Sequence, residues 1–288
     1  MGIYFRRMTI IGVGLIGGSL ARVCKKKNLV GEIIGVGRTE GNLKKAKELG
    51  VIDQYYLNTK KAVNDADLVI LATPVSSFVK IINDIRPNLK KGSIVIDVGS
   101  VKLGFLIEVE NLLPKGVHFV GTHPIAGTEK SGVGASFLEL FQGAKCIITP
   151  TPKTNKKALD KVVELWRQTG SDVIIMDPAR HDRILSAISH LPHLIAYALV
   201  NTIEDINNVE EDVLSYSAGG FRDFTRIASS SPEMWRDICL LNKNSIIDSI
   251  NRFKYNLELL KNFIENEDGT ELEERFKKAK YLRDNMNK

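Results

Sequence analysis

The sequence predicts an α/β domain with a doubly wound parallel sheet over residues 1–177, followed by an all-α domain over residues 178–288. Two observations support this fold class. From Met8 to about Asp177, short runs rich in Val and Ile alternate with longer amphipathic stretches, which is typical of a parallel sheet covered by helices. After Asp177 the strand pattern stops and apolar residues recur at helical spacing.

Seven segments of the first domain have the apolar character of buried strands: Met8–Ile11, Glu32–Val36, Asp67–Leu71, Ser93–Asp97, His118–Val120, Ala144–Thr149 and Asp172–Ile175. Five segments between them carry apolar residues three and four positions apart, as amphipathic helices do: Leu15–Lys27, Glu40–Leu49, Val75–Arg86, Lys102–Leu113 and Asn155–Thr169. Strands that alternate with helices in this way predict crossover connections and a parallel sheet.

The second domain is expected to consist of helices broken at Pro192, at Gly219-Gly220 and at Pro232. Its apolar stripes include Leu194–Val200 and Ile246–Phe263, and they are extensive for one small domain. We therefore expect part of this surface to be shared with a second copy in a homodimer.

Composition indicates an ordinary globular protein, with 43% hydrophobic and 26% charged residues in a chain of 288. The formal net charge of +6 arises from lysines spread along predicted helices such as 42–47 and 276–280. This distribution indicates solvated surfaces with some attraction for acidic metabolites, and we expect no nucleic-acid partner.

The cysteines Cys24, Cys146 and Cys239 lack the close spacing of zinc or disulfide frameworks, which favours a reducing cytoplasm. Arg6 and Arg7 before the apolar run Met8–Leu20 imitate a signal peptide, but the spaced glycines in that run argue against one. We expect no membrane attachment.

A glycine-rich turn follows the first predicted strand directly and leads into a helix. In Gly12-Val13-Gly14-Leu15-Ile16-Gly17, the first glycine allows a tight turn, the second lets a pyrophosphate approach the backbone, and the third allows close helix packing. The free N–H groups of the following helix favour phosphate. This Rossmann-type fingerprint predicts a nicotinamide dinucleotide site, to which we also assign Leu15, Ile16, Thr73 and Pro74.

The second predicted strand lacks the acidic residue that normally binds the ribose 2′-hydroxyl, and ends instead in Gly37-Arg38-Thr39. Arg38 and Thr39 can donate hydrogen bonds to a 2′-phosphate, which favours NADP. Alternatively, Arg38 stacks on the adenine or is simply exposed, and NAD is used.

Three further segments stand out: Asp97–Lys102, Gly121–Gly132 and Gly219–Ala228. Together they resemble the prephenate/arogenate dehydrogenase family of tyrosine biosynthesis, in the family's order and from Met8 to about Phe263. The resemblance implies that prephenate is oxidised and decarboxylated to 4-hydroxyphenylpyruvate, or arogenate to tyrosine, with hydride transfer to NAD(P)⁺. We expect no regulatory module of the kind that some relatives carry after the helical domain.

His123 and Ser100 follow strands at the carboxyl edge of the predicted sheet, where doubly wound folds bind ligands. A histidine can accept a proton from an alcohol while hydride leaves its carbon, provided that a neighbour fixes its tautomer. Ser100 is the neighbour we expect. The resemblance implies that His123 bonds the ring C4 hydroxyl of the substrate.

The resemblance also implies that Arg226 binds a substrate carboxylate, for which a guanidinium is well suited because it forms a bidentate fork. The alternative is a surface arginine paired with Asp223. His193 matches a family histidine near the substrate. Thr128 lies in the His123 loop and is a further substrate-binding candidate, as is Trp235, which is equally compatible with the core or an interface.

Other histidines receive simpler interpretations. His118 and His190 are predicted to be structural, and His181 with Asp182 is favoured as a hinge or interface pair, with a catalytic role left open. No metal is expected, because Pro192 separates His190 from His193 and hydride transfer to a nicotinamide needs none.

Two other functions remain possible at this point. One is another Rossmann-plus-helical NAD(P)-dependent reductase or dehydrogenase, although such enzymes typically use a lysine or an acid of the helical domain. The other is a non-catalytic dinucleotide-sensing regulator, which would bind cofactor without turnover and without dependence on His123.

Overall fold

The computed structural model describes residues 4–128, 130–209 and 212–286. Its strands form one eight-stranded sheet in the order β3-β2-β1-β4-β5-β6-β7-β8. The strands are β1 (Phe5–Ile11), β2 (Val30–Val36), β3 (Gln54–Tyr56), β4 (Leu68–Leu71), β5 (Ile94–Asp97), β6 (His118–Pro124), β7 (Lys145–Thr149) and β8 (Asp172–Ile175). The seven predicted strands are present.

The helices of the described residues alternate with the strands and then continue alone. They are α1 (Leu15–Lys26), α2 (Glu40–Glu48), α3 (Thr59–Ala62), α4 (Phe78–Ile85), α5 (Leu103–Leu112), α6 (Lys156–Gln168), α7 (Pro178–Leu185), α8 (Leu191–Asn207), α9 (Gly219–Thr225), α10 (Pro232–Leu241), α11 (Lys243–Glu265) and α12 (Gly269–Asp284). All five helices predicted for the first domain are present, each shorter by one to three residues at its ends.

Burial on both faces explains the composition of the central strands. Every residue of β4 and β5 is buried, and both strands consist almost entirely of Val, Ile and Leu. Parallel pairing of β1 with β2 and β4 aligns Ile11 with Val36 and with Leu71, so these strands end at the same edge. The residues that follow them are thereby collected along one edge of the sheet.

The expectation of an entirely parallel sheet is wrong for one pair, because β7 runs antiparallel to β6. A parallel return requires a crossover, which is usually a helix. The described part of the connection between β6 and β7 contains one short 3-10 turn, Val133–Ala135, and no α-helix. The sheet is therefore mostly parallel, with its direction reversed after His123.

Pro192 does not break the helical path as predicted. The chain runs from α7 through a π-helical turn, Ser186–His190, directly into α8, and Pro192 lies in the first turn of α8. The wider π turn offers a different hydrogen-bond pattern just before the proline, which lacks an N–H group. Gly219 begins α9, and Pro232 begins α10 after a Ser231 cap.

Backbone proximity divides the chain into two compact units, Met1–Asn242 and Lys243–Lys288. The first contains the sheet and α1–α10, and therefore includes helices beyond residue 177. The second contains the helical hairpin α11–α12. Among the described residues, the helical stretch Pro178–Asn207 is long and apolar enough to cross a membrane by length and composition alone, and 22% of its apolar window is buried. Its first turns hold the buried polar residues His181 and Asp182, which hydrogen bond within the first unit.

Candidate active site

The glycine-rich turn has the geometry that a dinucleotide needs. Gly12 has φ +103°, and a Cβ there would lie 2.4 Å from the carbonyl oxygen of Ala72. A Cβ on Gly17 would lie 2.5 Å from the carbonyl oxygen of Gly12, so α1 packs as closely as predicted. The Cβ position of Gly14 instead faces open space, with no atom within 4 Å. The turn therefore leaves room for a ligand at the second glycine alone.

Helix α1 begins at this opening. Gly14 is its N-cap, and no side chain caps the first turn, which starts with the half-buried Leu15 and Ile16. The unpaired N–H groups and positive end of α1 suit a pyrophosphate. These residues fit a bound nicotinamide dinucleotide.

Two more predicted cofactor residues lie beside the turn. Thr73 and Pro74 follow β4, and the Thr73 nitrogen is 2.9 Å from the position that a Gly12 Cβ would occupy. The Thr73 hydroxyl is 2.7 Å from the hydroxyl of Ser77, so this loop is internally braced. Arg38 and Thr39 follow β2 at the same edge, and both side chains are exposed.

His123 is buried near the end of β6, with 9% of its surface exposed. Its Nδ1 lies 2.8 Å from Nε2 of His181, and Nδ1 of His181 lies 2.7 Å from Oδ1 of Asp182. His181 and Asp182 are themselves buried in α7. The three side chains form a continuous chain of hydrogen bonds from β6 into α7.

The carboxylate of Asp182 is held by the start of α5. Its Oδ1 accepts a hydrogen bond from the Lys102 main-chain N–H at 2.9 Å, and its Oδ2 accepts one from Leu103 at 2.8 Å. Both donors belong to the N-terminus of α5, where N–H groups lack partners within the helix. Asp182 therefore caps a helix and contacts His181 at the same time.

A fully buried ion pair lies behind this chain. The Lys102 Nζ is 2.6 Å from Asp97 Oδ2 and 2.7 Å from the Gly99 carbonyl oxygen, and both side chains have 0% exposure. The Thr122 N–H donates to Asp97 Oδ1 at 3.1 Å. Because Thr122 immediately precedes His123, this pair anchors the end of β6.

The imidazole rings of His123 and His181 both favour the neutral form. Burial, and then the charges of His181, Lys102 and His190, hold the pKa of His123 well below its usual range. Burial also lowers the pKa of His181, although Asp182 opposes this effect. At neutral pH His123 is thus an uncharged imidazole that can accept a proton.

The predicted partner of His123 is not the observed one. Ser100 is half-buried in the loop between β5 and α5, but the Nδ1 of His123 is bonded to His181. These histidines are 58 positions apart in sequence. Only the packing of α7 against the sheet brings them together, which sequence spacing does not reveal.

A second group of predicted residues surrounds His193. The rings of His193 and Trp235 stack with centroids 4.0 Å apart and an interplanar angle of 26°. Trp235 is 6% exposed, and its ring also lies against that of His190, with centroids 5.9 Å apart and planes nearly perpendicular. Burial and, less strongly, the charge of Arg226 lower the pKa of His193, whereas its hydrogen bond to the Ser189 backbone opposes them. The Arg226 side chain is exposed.

Thr128 is not joined to either group by a described contact. It is exposed in the loop after β6, and its hydroxyl accepts a hydrogen bond from the Lys130 N–H at 3.2 Å.

The polar residues that sequence reasoning underrated are His181, Asp182 and the pair Asp97 and Lys102. The signal available for the ion pair was a lysine five positions after an aspartate that ends a buried strand.

Comparisons with known proteins identify the family. The protein-family model described as "Prephenate dehydrogenase, nucleotide-binding domain" matches residues 20–175. The family model described as "Prephenate dehydrogenase, dimerization domain" matches residues 177–278. The chain belongs to the prephenate dehydrogenase family.

Similar proteins agree with this membership. The prephenate dehydrogenase of Bacillus subtilis (strain 168) is 38% identical over 96% of this chain and 75% of its own length. The cyclohexadienyl dehydrogenase of Zymomonas mobilis is 35% identical over 97% of this chain and 95% of its own length. A crystal structure of prephenate dehydrogenase from A. aeolicus, in complex with hydroxyphenyl propionate and NAD⁺, is 40% identical, with a TM-score of 0.93 over 98% of this chain and 99% of that one.

Proposed function

We propose that this member of the family oxidises and decarboxylates prephenate to 4-hydroxyphenylpyruvate, or arogenate to tyrosine. The observation that carries the proposal is His123, a buried neutral imidazole near the end of β6. The strand β6 ends at the same edge of the sheet as the glycine-rich turn. Such a group is suited to accept the proton of an alcohol that is being oxidised.

The cofactor site is formed by the turn of Gly12, Gly14 and Gly17, by the start of α1 and by the loop at Thr73. A bound NAD⁺ or NADP⁺ would supply the acceptor for the hydride. The protein's contribution is to hold the pyrophosphate at the N-terminus of α1, where open space surrounds the Gly14 Cβ position.

His123 removes the proton from the C4 hydroxyl of the substrate ring. The C4–H bond breaks with its electron pair leaving as hydride, and the electron pair of the bond to the ring carboxylate completes the aromatic ring as CO₂ leaves. The ring oxygen then takes back a proton from protonated His123, which gives the phenol. Ser100, half-buried after β5, is proposed to contact the substrate near this hydroxyl instead of orienting His123.

Arg226 and His193 form the proposed anion-binding part of the site. An exposed guanidinium whose charge acts on a half-buried imidazole suits one carboxylate of a dianionic substrate. Trp235 holds His193 in place by stacking. Thr128 remains a proposed substrate contact from the loop after β6.

Two observations bear on the choice of cofactor and point in different directions. The exposed Arg38 and Thr39, with no acid at the end of β2, favour NADP⁺. The 40% identical A. aeolicus protein was crystallised with NAD⁺, which favours the other dinucleotide. Prephenate is our preferred substrate, because the Bacillus subtilis relative is named for it.

We also propose that residues 1–177 form the dinucleotide-binding domain and residues 178–288 a helical domain that forms a homodimer. The match of a dimerization-domain model to residues 177–278 supports this division. Exposed apolar side chains such as Ile188, at 68%, and Val209, at 83%, support a shared surface there. Three free cysteines suit a reducing cytoplasm.

The deciding experiment is a comparison of initial rates with prephenate and arogenate, each with NAD⁺ and NADP⁺, monitored by the absorbance of the reduced cofactor. We expect turnover with at least one pair. Cofactor binding without turnover of either substrate would contradict the proposal and favour a dinucleotide-sensing regulator.

A further inference from the structure

We propose that His181 and Asp182 act as positioning residues that determine which nitrogen of His123 carries the proton. The inference rests on the base role proposed above for His123. It deepens that role, because it states which atom accepts the substrate proton and what holds the ring in that state.

The argument begins at Asp182, whose contacts fix the direction of the hydrogen bonds. Lys102 and Leu103 approach it through main-chain N–H groups, which can only donate. Both oxygens are thus acceptors at the positive end of α5, which favours the ionised carboxylate. An ionised carboxylate accepts hydrogen bonds and donates none, so the proton between Asp182 and His181 lies on Nδ1 of His181.

The same reasoning extends along the chain. A neutral imidazole has one N–H group, and burial keeps His181 neutral. With its proton on Nδ1, the Nε2 of His181 is a bare acceptor, and it lies 2.8 Å from Nδ1 of His123. The proton between the two histidines therefore belongs to His123 Nδ1.

The consequence lies at the other nitrogen of His123. This ring is also neutral, so its single N–H is on Nδ1 and Nε2 carries a lone pair. The substrate hydroxyl can give its proton to that lone pair. The resulting imidazolium keeps its Nδ1 proton and donates to His181, whose own N–H remains directed at the Asp182 carboxylate.

Other charged or titratable groups, on several helices and strands, face this series of hydrogen-bonded side chains. Lys102, His190 and His181 disfavour a positive charge on His123, while the carboxylate of Asp97 is paired with Lys102. Within the hydrogen-bonded series His123–His181–Asp182, Asp182 is the anion. It therefore supplies the stabilisation that a protonated His123 needs in this buried setting.

The first test reads the tautomer without any turnover. Nitrogen-15 NMR of histidine-labelled protein, with His123 assigned by its absence in His123→Asn, should show a protonated Nδ1 and an unprotonated Nε2 at neutral pH. The reverse tautomer would overturn the proposal.

The second test compares two replacements of His181. In His181→Gln, the amide oxygen can accept from His123 and the amide N–H₂ can donate to Asp182, so orientation is retained. We expect kcat to fall by less than about tenfold in His181→Gln but by on the order of 10²-fold in His181→Ala. Equal losses in the two variants would overturn the proposal.

The third test removes the charge and uses a matched control on the same helix. Asp182→Asn should lower kcat at least about tenfold and shift the pH dependence of kcat, with KM little changed. Asp177 caps α7 through the Arg180 N–H at 2.9 Å and is exposed, and asparagine caps helices equally well. Asp177→Asn should therefore leave kcat unchanged. Similar effects of the two substitutions would overturn the proposal.

Failure of this inference differs from failure of the proposed function. If His123→Asn retains turnover, the base assignment is wrong whatever the tautomer. If His123→Asn is inactive while His181→Ala and Asp182→Asn keep full kcat, the base role stands and the positioning role is wrong.

Discussion

His193 lies flat against Trp235, with ring centroids 4.0 Å apart and planes inclined by 26°. Trp235 is buried in α10, whereas His193 is half-buried in α8, so the stack joins the two helices at the proposed anion site. The Nδ1 of His193 also lies 2.9 Å from the Ser189 carbonyl oxygen, which can accept a hydrogen bond from an N–H at that position. The ring is thereby held by two contacts, one to Trp235 and one to the Ser189 backbone.

Trp235→Phe should preserve more substrate affinity than Trp235→Leu, because an aromatic ring still supports the stack. We expect KM for prephenate to rise several-fold more in the leucine variant, while the KM for the dinucleotide changes little. Steady-state kinetics over both substrates, with circular dichroism to check folding, measures this difference. Equal KM values in the two variants would show that the stack does not position His193.

His123 and Arg226 should fail in different ways, because the first acts on the reacting hydroxyl and the second on a remote carboxylate. His123→Asn should cut kcat by about 10²–10⁴-fold, remove the acidic limb of the pH profile and leave KM nearly intact. Arg226→Ala should chiefly raise KM, and the rise should correspond to a loss of binding free energy on the order of 2–5 kcal/mol. Substantial turnover with an unchanged pH profile in His123→Asn would refute the base assignment.

The Arg38 side chain provides a test of cofactor choice. Arg38→Asp restores an acceptor for a ribose 2′-hydroxyl and places a negative charge near a 2′-phosphate, so kcat/KM should shift toward NAD⁺. Arg38→Gln is the matched control, because it removes the positive charge without adding a negative one, and its shift should be smaller. If selectivity is the same in both variants and in the wild type, Arg38 does not contact the ribose.

The sequence predicted those parts of the fold that depend on local pattern. The runs Leu68–Leu71 and Ile94–Asp97 are apolar because both faces of their strands are covered, and the glycine spacing follows from the closeness of Gly17 to Gly12. The edge strand Gln54–Tyr56 was missed, because three partly exposed residues carry too short a pattern. The reversed β7 was missed because strand direction depends on a connection without a clear helical signal.

The site was predictable where a side chain lies at or just after the end of a strand, and much less so where tertiary packing creates the contact. His123 was identified in this way. His181 and Asp182 were favoured as hinge or interface residues, with a catalytic role left open, and the structure shows them buried and bonded to His123 and to the start of α5. Nothing in the spacing of α7 and β6 indicates that contact. It arises from the docking of α7 against the edge of the sheet.

We predict a homodimer, because the described residues of the helical part leave apolar surface exposed. In the second unit, Tyr255, Leu257 and Ile264 are each more than half exposed along α11. Burial of such side chains between two copies would stabilise a dimer by about 25 cal/mol per Å² of apolar surface. Light scattering at micromolar concentration should give about twice the chain mass of 32.0 kDa. A mass near 32.0 kDa would contradict the prediction.

Acid should destabilise the protein through its buried histidines. His190 is 1% exposed and packs against Trp235, and burial, only partly opposed by Asp182, lowers its pKa from the ordinary 6.5 to about 4. The unfolded chain therefore binds a proton near pH 6.5 that the folded chain takes up only near pH 4. The contribution to stability is complete above pH 6.5 and is lost as the pH falls toward 4, by which point the loss of unfolding free energy is about 3 kcal/mol.

His190→Gln removes this titration while retaining a polar side chain for Asn242, whose amide lies 3.3 Å from the ring of His190. Urea unfolding at pH 7.5, 6, 5 and 4.5, at one fixed protomer concentration, should show a shallower fall in unfolding free energy for the variant than for the wild type. His123 and His181 also have lowered pKa values, so some acid sensitivity should remain in His190→Gln. Parallel curves for variant and wild type between pH 6.5 and 4.5 would mean that His190 does not titrate with folding.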